Sequence, residues 1–224
     1  GKEMLKITRL SAKFDIIPLF NGKITISSVQ LFGFNINLNK PAPHMEPNFK
    51  FVLDAFASKD TVKTKKDIDL RINSILIRRG KLSYDVLSEE ETPGKFNPQH
   101  IKLHNIIANI SLKALQNDSI NAAIKRLSVD EQSGFELRKL SLKVIANNKG
   151  MKIENFAIEM PGTEMKMDTI RMEYDSLKAL NHFADTVRFS FRTLPSHVTL
   201  NDISAFVPAL SNFKEKLDLN IDVE

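Results

Sequence analysis

The residues of this chain best suited to chemistry are five histidines, His44, His100, His104, His182 and His197, with a scatter of carboxylates. Two imidazoles four residues apart on a helix hold zinc, and His100 and His104 have that spacing. They alternate with Ile101 and Leu103 in a strand-like stretch, where no neighbouring acid completes a metal set. Asp15, Asp54, Asp168 and Glu173 show no spacing that would pair two carboxyls for general acid and base work. Neither a Gly-x-Ser-x-Gly elbow nor a phosphate-cradling glycine loop occurs. The sequence has no cysteine, which removes thiol catalysis, zinc fingers and disulfide scaffolds together. The expectation is a non-catalytic protein with no catalytic residue, no metal and no cofactor.

What remains must be read from the elements that would carry a site. The chain has 224 residues, 42% of them hydrophobic and 26% charged, which fits one folded domain over residues 1–224. Its net charge of +5 is spread between apolar positions instead of gathered in a block, so a nucleic-acid partner is not expected. The densest basic run, Lys63, Lys65 and Lys66, is flanked by Asp60, Asp67 and Asp69 and reads as a solvated loop. No apolar run is long enough for a membrane-spanning helix. Strand rhythm is under way at Leu5 and still running at Glu224, so the sequence reads as a segment of a longer protein, with any signal or anchor expected outside it.

Period-two alternation dominates. Phe34, Ile36 and Leu38 form one set, and Leu82, Tyr84 and Val86 another. Leu140, Leu142 and Val144 repeat it, as do Phe156, Ile158 and Met160, then Ile170, Met172 and Tyr174. Val187, Phe189 and Phe191 precede a last set of Leu217, Leu219, Ile221 and Val223. Polar residues stand between, giving each strand one apolar and one wet face. Turn signals sit at Asn21-Gly22, Phe32-Gly33, Arg79-Gly80, Ser133-Gly134, Lys149-Gly150 and Pro161-Gly162. Their spacing predicts a mostly β fold, an antiparallel up-and-down sheet. The acidic run Glu89, Glu90 and Glu91 marks residues 88–98 as a solvated loop. Short helices are expected over residues 47–58, 176–184 and 201–213, the last shortened by Pro208, covering an edge or end of the sheet.

A degenerate repeat underlies the alternation. Ile26-Ser-Ser-Val29-Gln-Leu31 leads to Gly33, Ile72-Asn-Ser-Ile75-Leu-Ile77 to Gly80, and Ile153-Glu-Asn-Phe156-Ala-Ile158 to Gly162. Leu103-His-Asn-Ile106-Ile-Ala108 and Leu137-Arg-Lys-Leu140-Ser-Leu142 share the core without the glycine. Two polar residues between apolar ones break strict alternation by one step. A β-bulge at that step keeps the apolar residues on one side while the strand bends, which favours a curved open trough.

The stretch LKITRLSAKFDIIPLFNGKITISSVQLFGFNINLNK, with its Pro-Leu-Phe-Asn-Gly corner at Pro18 to Gly22, resembles the recurring unit of the TamB-like and AsmA-like envelope proteins. LPSHVTLNDISAFVPALSNF is similar to a segment of Bacteroidetes-type TamB-like proteins. The resemblance implies a β-taco groove in a long periplasmic protein, anchored in the inner membrane and reaching toward an outer-membrane barrel protein. It also implies a part in phospholipid transport between the membranes and in outer-membrane protein assembly. The anchor and the barrel-contacting region would lie outside this sequence, and no catalytic residue is carried over.

Three short helices are too few to cover about a dozen strands, so the apolar face is expected to meet a phospholipid or another apolar chain. Its candidate lining is Ile24, Ile26, Leu31, Phe34, Ile36, Ile75, Ile77, Leu140, Leu142, Phe156, Ile158, Met165, Met167 and Met172. Methionine is frequent from Met151 to Met172, and its adaptable side chain suits a varied apolar guest. The competing reading is an architectural β spacer or protein-interaction module of the envelope that leaves no contiguous apolar patch open.

Overall fold

A computed structural model describes residues 3–15, 24–57, 70–116, 119–175 and 187–223. The described strands all belong to one open sheet of 12 strands. In chain order they are β1 (Leu5–Asp15), β2 (Ile24–Lys40), β3 (Leu70–Val86), β4 (His100–Gln116), β5 (Ser119–Glu131), β6 (Glu136–Ala146), β7 (Gly150–Glu159) and β8 (Glu164–Glu173). Shorter strands follow: β9 (Arg188–Thr193), β10 (Ser196–Thr199), β11 (Lys216–Leu219) and β12 (Asp222–Val223). Strands β1 to β8 lie side by side in sequence order. Beyond β8 the sheet forks, one branch running through β10 to β11 and the other through β9 to β12.

The antiparallel expectation fails at one place. β2 and β3 pair in parallel, so the sheet is mixed. A parallel neighbour cannot be reached by a tight hairpin, and residues 41–69 make the crossover. That segment contains the expected helix, here α1 (Lys50–Ala57). Asn48 fastens its approach to β2, accepting from the Asn39 amide at 2.9 Å and donating to the Asn37 carbonyl at 2.9 Å. As cover for the sheet α1 fails: Phe51 and Leu53 stay exposed, and it makes no substantial contact with any described strand.

The helix expected over 201–213 is replaced by two 3-10 turns, Leu200–Ile203 and Pro208–Leu210. Pro208 stands at the start of the second, where its missing N–H is no loss, and it cannot continue an α-helix from the first. The helix expected over 176–184, the Asn21-Gly22 corner and the Lys63 to Lys66 run lie outside the described residues.

Two of the glycine signals are not turns. Gly33 lies inside β2 with φ +65, and Arg79-Gly80 lies inside β3, Arg79 itself having φ 54. Both strands continue past these points for several residues. Ser133-Gly134, Lys149-Gly150 and Pro161-Gly162 do connect successive antiparallel strands.

Every one of the five repeat tetrads holds a register shift. Ser27 is the extra residue between Ser28, paired with Lys13, and Ile26, paired with Phe14. Ile72 to Ile75 spans three residues against two in β4, and Leu103 to Ile106 spans three against two in β3. Leu137 to Leu140 and Ile153 to Phe156 contain the shifts against β5 and β7's partner β6. Asn105 and Asn155 take left-handed backbone, φ 53 and 55, at the bends of their strands. Asparagine tolerates that region better than most residues because its short side chain bonds locally.

The loop over residues 88–98 is tied down more firmly than a solvated loop. Asn97 is buried and donates to the Glu90 carbonyl at 3.1 Å. The Phe96 amide donates to the Ala205 carbonyl at 2.9 Å, and the Phe96 ring lies 4.8 Å from that of Phe206. Phe135 joins them, 5.0 Å from Phe206. This aromatic group joins the loop and the residue before β6 to the turn that carries Phe206.

Candidate apolar ligand face

Cross-strand partners project to the same face of a sheet, so the register decides which side chains share a surface. One row runs Leu10, Leu31, Ile77, Ala108, Leu127, Leu140, Ile158, Met165 across β1 to β8 without a polar member. A second runs Phe14, Ile26, Ile72, Leu112, Ala122, Val144, Ile153, Ile170, Phe191, Val223 and crosses ten strands. Between them lies Ala12, Val29, Ile75, Ile110, Ile124, Leu142. Toward the far side come Leu115, Ile120, Ala146, Met151, Met172, Phe189. The bulges hold these rows on one face: three-residue steps such as Ile72 to Ile75 would otherwise send alternate rows to opposite sides.

Of the residues expected to line this face, Ile26, Leu31, Ile75, Ile77, Leu140, Leu142, Ile158, Met165 and Met172 stand in those four rows. Ile36 pairs with Leu5 and Leu82, and Phe156 pairs with Met167. Phe34 pairs with Ile7 and is buried, its ring lying over Gly80, while the other described candidates are half-buried. The backbone of Ile24 pairs with Leu70, and its side chain lies outside the described residues.

Leu10, Phe14, Leu112, Ala122 and Leu127 also stand in these rows although nothing in the sequence analysis singled them out, while Ala108, Val144 and Phe191, expected on apolar strand faces, join the lining to which they had not been assigned. A signal existed for part of this: Ile124-Lys-Arg-Leu127-Ser-Val129 and Met167-Asp-Thr-Ile170-Arg-Met172 have the same tetrad, and both contain register shifts.

No second layer covers the apolar face among the described residues. Substantial contacts between strands all join hydrogen-bonded neighbours, and no large side chain is fully buried. Leu10 and Phe14, the β1 ends of two apolar rows, are 60% and 62% exposed, so among the described residues the face is open at its β1 side. Phe189 and Phe191 stack at 6.2 Å near the other side.

The opposite face is ionic from β6 to β8. Lys143 donates to Glu154 at 2.7 Å, Lys139 to Glu159 at 2.8 Å and Lys166 to Glu164 at 2.6 Å. Hydrogen bonds from Lys143 and then Lys152 hold the Glu154 carboxyl down to about 2 from its ordinary 4.5. The bond from Lys166 likewise lowers Glu164.

Among the described residues the one group with a metal-like donor set is Asp85, Glu91 and His100, whose ligand atoms lie within 4.8 Å of one another. Folding therefore brings acids to His100 that sequence proximity did not show. They are already engaged: His100 Nδ1 bonds Asp85 at 3.1 Å, Nε2 faces the Glu89 carbonyl at 2.9 Å, and Glu91 accepts from Lys102 at 2.8 Å. His104 stands apart, exposed beside Asp130 at 3.8 Å. The arrangement pins the 88–98 loop to the start of β4.

An apolar surface of this kind can take up a chain of methylenes by contact alone, since its four rows carry no polar member among the described residues. Comparison with protein-family profiles, curated proteins and solved structures finds no match to the chain.

Proposed function

We propose that the sheet is a lipid-holding track: a phospholipid's acyl chains lie on the apolar face, inside a trough bent by the repeated bulges, as in a TamB-like or AsmA-like segment serving phospholipid transport between inner and outer membranes and outer-membrane protein assembly. The observation that carries the reading is the unbroken apolar row from Phe14 to Val223 with none of the described residues laid over it. With strands about 4.8 Å apart, ten strands extend roughly 43 Å. One leaflet of a bilayer core is about 15 Å thick, so an acyl chain occupies only part of such a row and can shift along it. Each methylene taken from water contributes about 0.8 kcal/mol, enough for a shallow trough to retain a chain without a closed pocket. Periplasmic location, an anchor elsewhere and a barrel partner belong to the same proposal.

Native mass spectrometry of the purified chain, before and after lipid extraction, tests it. Co-purified phospholipid, and loss of fluorescent fatty-acid binding in Ile36→Asp and Phe156→Asp with the fold intact, are expected. A chain that carries no lipid and binds the fatty acid equally well with either aspartate is an architectural spacer.

A further inference from the structure

We infer that the polar face carries a separate anion site, suited to the phosphate of an amphiphile and formed by Arg9, Arg78, Arg79 and Arg126 around Phe32. In sequence these arginines are scattered; pairing assembles them. Arg9, Phe32 and Arg78 are direct partners across β1, β2 and β3, on positions that alternate with the apolar Leu10, Leu31 and Ile77. The next polar-face row, Leu76, Asn109, Arg126, brings the fourth arginine in from β5. Two adjoining depressions result. One, of about 640 Å³, is bounded by Arg9, Arg78, Phe32 and Leu76. The other, of about 470 Å³, is bounded by Arg78, Arg79, Arg126, Phe32 and Ile107.

Four cations gather here without counter-charge. From β6 to β8 the lysines of this face are paired with glutamates, whereas none of the four arginines has an ion-pair partner among the described residues. Arg79 is also held in left-handed backbone, φ 54, a conformation a bulky side chain adopts at a cost. Its guanidinium lies 5.3 Å from the centre of the Phe32 ring.

Guanidinium forks match phosphate oxygens in pairs, and four without counter-charge favour an anionic occupant. The floor narrows the choice. Leu76 and Ile107 offer aliphatic surface, and the one aromatic ring, Phe32, is already covered by Arg79, which leaves no free platform for stacking a nucleobase. A phosphate bearing an alkyl or acyl group fits both halves.

Isothermal titration of the full chain with dihexanoyl phosphatidic acid, soluble as a monomer, tests this. Binding about tenfold tighter than for inorganic phosphate or dihexanoyl phosphatidylcholine is expected, since guanidinium–phosphate bonds and apolar contact add. Arg78→Gln with Arg126→Gln should weaken it about tenfold, and Arg9→Gln alone about threefold. Lys214→Gln with Lys216→Gln removes the same charge near β11 and should leave affinity unchanged. Ile36→Asp and Phe156→Asp, on the other face, should also leave it unchanged, so this site and the lipid track succeed or fail separately. Four results overturn the inference: equal weakening by the lysine pair; inorganic phosphate binding as tightly, which makes the site one for an adventitious ion only; tighter binding of a single-stranded oligonucleotide; or no binding.

Discussion

The ring of Phe34 on β2 fills the space above Gly80 on its parallel neighbour β3. A Cβ at residue 80 would meet Cε1 and Cζ of that ring and come within 3.0 Å of Ile106 Cβ. Phe34 is one of few buried apolar residues among those described, and it is buried because the adjacent strand yields its own side chain.

Gly80→Ala should therefore cost about 1–3 kcal/mol, the penalty of overpacking a filled site. Phe34→Ala should cost about 3 kcal/mol through its cavity. The double variant should recover part of the sum, with a coupling of about 1 kcal/mol. Urea unfolding of all four proteins measures it, and strict additivity would show that the two residues do not compete for the same space.

Asn155 isolates the cost of a bend, being exposed and at φ 55. Asn155→Val places a β-branched residue in left-handed backbone and should destabilise by about 1–2 kcal/mol, while Asn155→Gly should be neutral or stabilising. Thermal unfolding of both variants decides this. A valine variant as stable as the parent would mean that β7 is not bulged there.

Acid should act on the polar face through Glu154. Its folded-state value of about 2 lies below the ordinary 4.5, so the stabilisation is present above pH 4.5 and is lost as pH falls toward 2. Carboxyl NMR should place its midpoint near 2. Lys143→Met, removing the first of its two donors, should move that midpoint upward.

The Pro161-Gly162 turn is held from a distance, since the Gly162 amide donates to both carboxylate oxygens of Asp202, at 3.1 and 2.9 Å. Thr199 Oγ1 donates to the Gly162 carbonyl at 2.9 Å. Asp202→Ala should cost about 1–2 kcal/mol and raise amide exchange at Gly162 selectively. Uniform exchange changes across β7 and β8 would argue against this clamp.

An open apolar face also has an optical signature. The native chain should enhance the fluorescence of an anilinonaphthalene dye while unfolding cooperatively in urea, a combination that separates an open native face from a molten state. A dark dye would mean that the face is covered in solution.

The bends were legible because they are local. Two polar residues between Ile72 and Ile75, or between Leu103 and Ile106, announce a bulge to anyone counting by twos. Gly33 and Gly80 looked like hairpin turns because a glycine after an apolar run has the same local appearance in both settings. Only the continuation through Phe34, Ile36 and Leu38 tells them apart. The parallel β2–β3 pair could not be read, since it depends on where residues 41–69 deliver the chain. Nor could the arginine group: Arg9 and Arg126 are neighbours of Phe32 and Leu76's row only through pairings between distant strands. Local pattern specifies which face a residue takes, and non-local register specifies whom it meets there.

The outer side of β1 has no strand beside it among the described residues, and a sheet that never closes has no fixed circumference. Reach then becomes a quantity counted in strands, as the length of a boardwalk is counted in planks. Each inserted hairpin would carry the greasy surface about 10 Å farther at constant width, and each deleted one would stop it short by the same step.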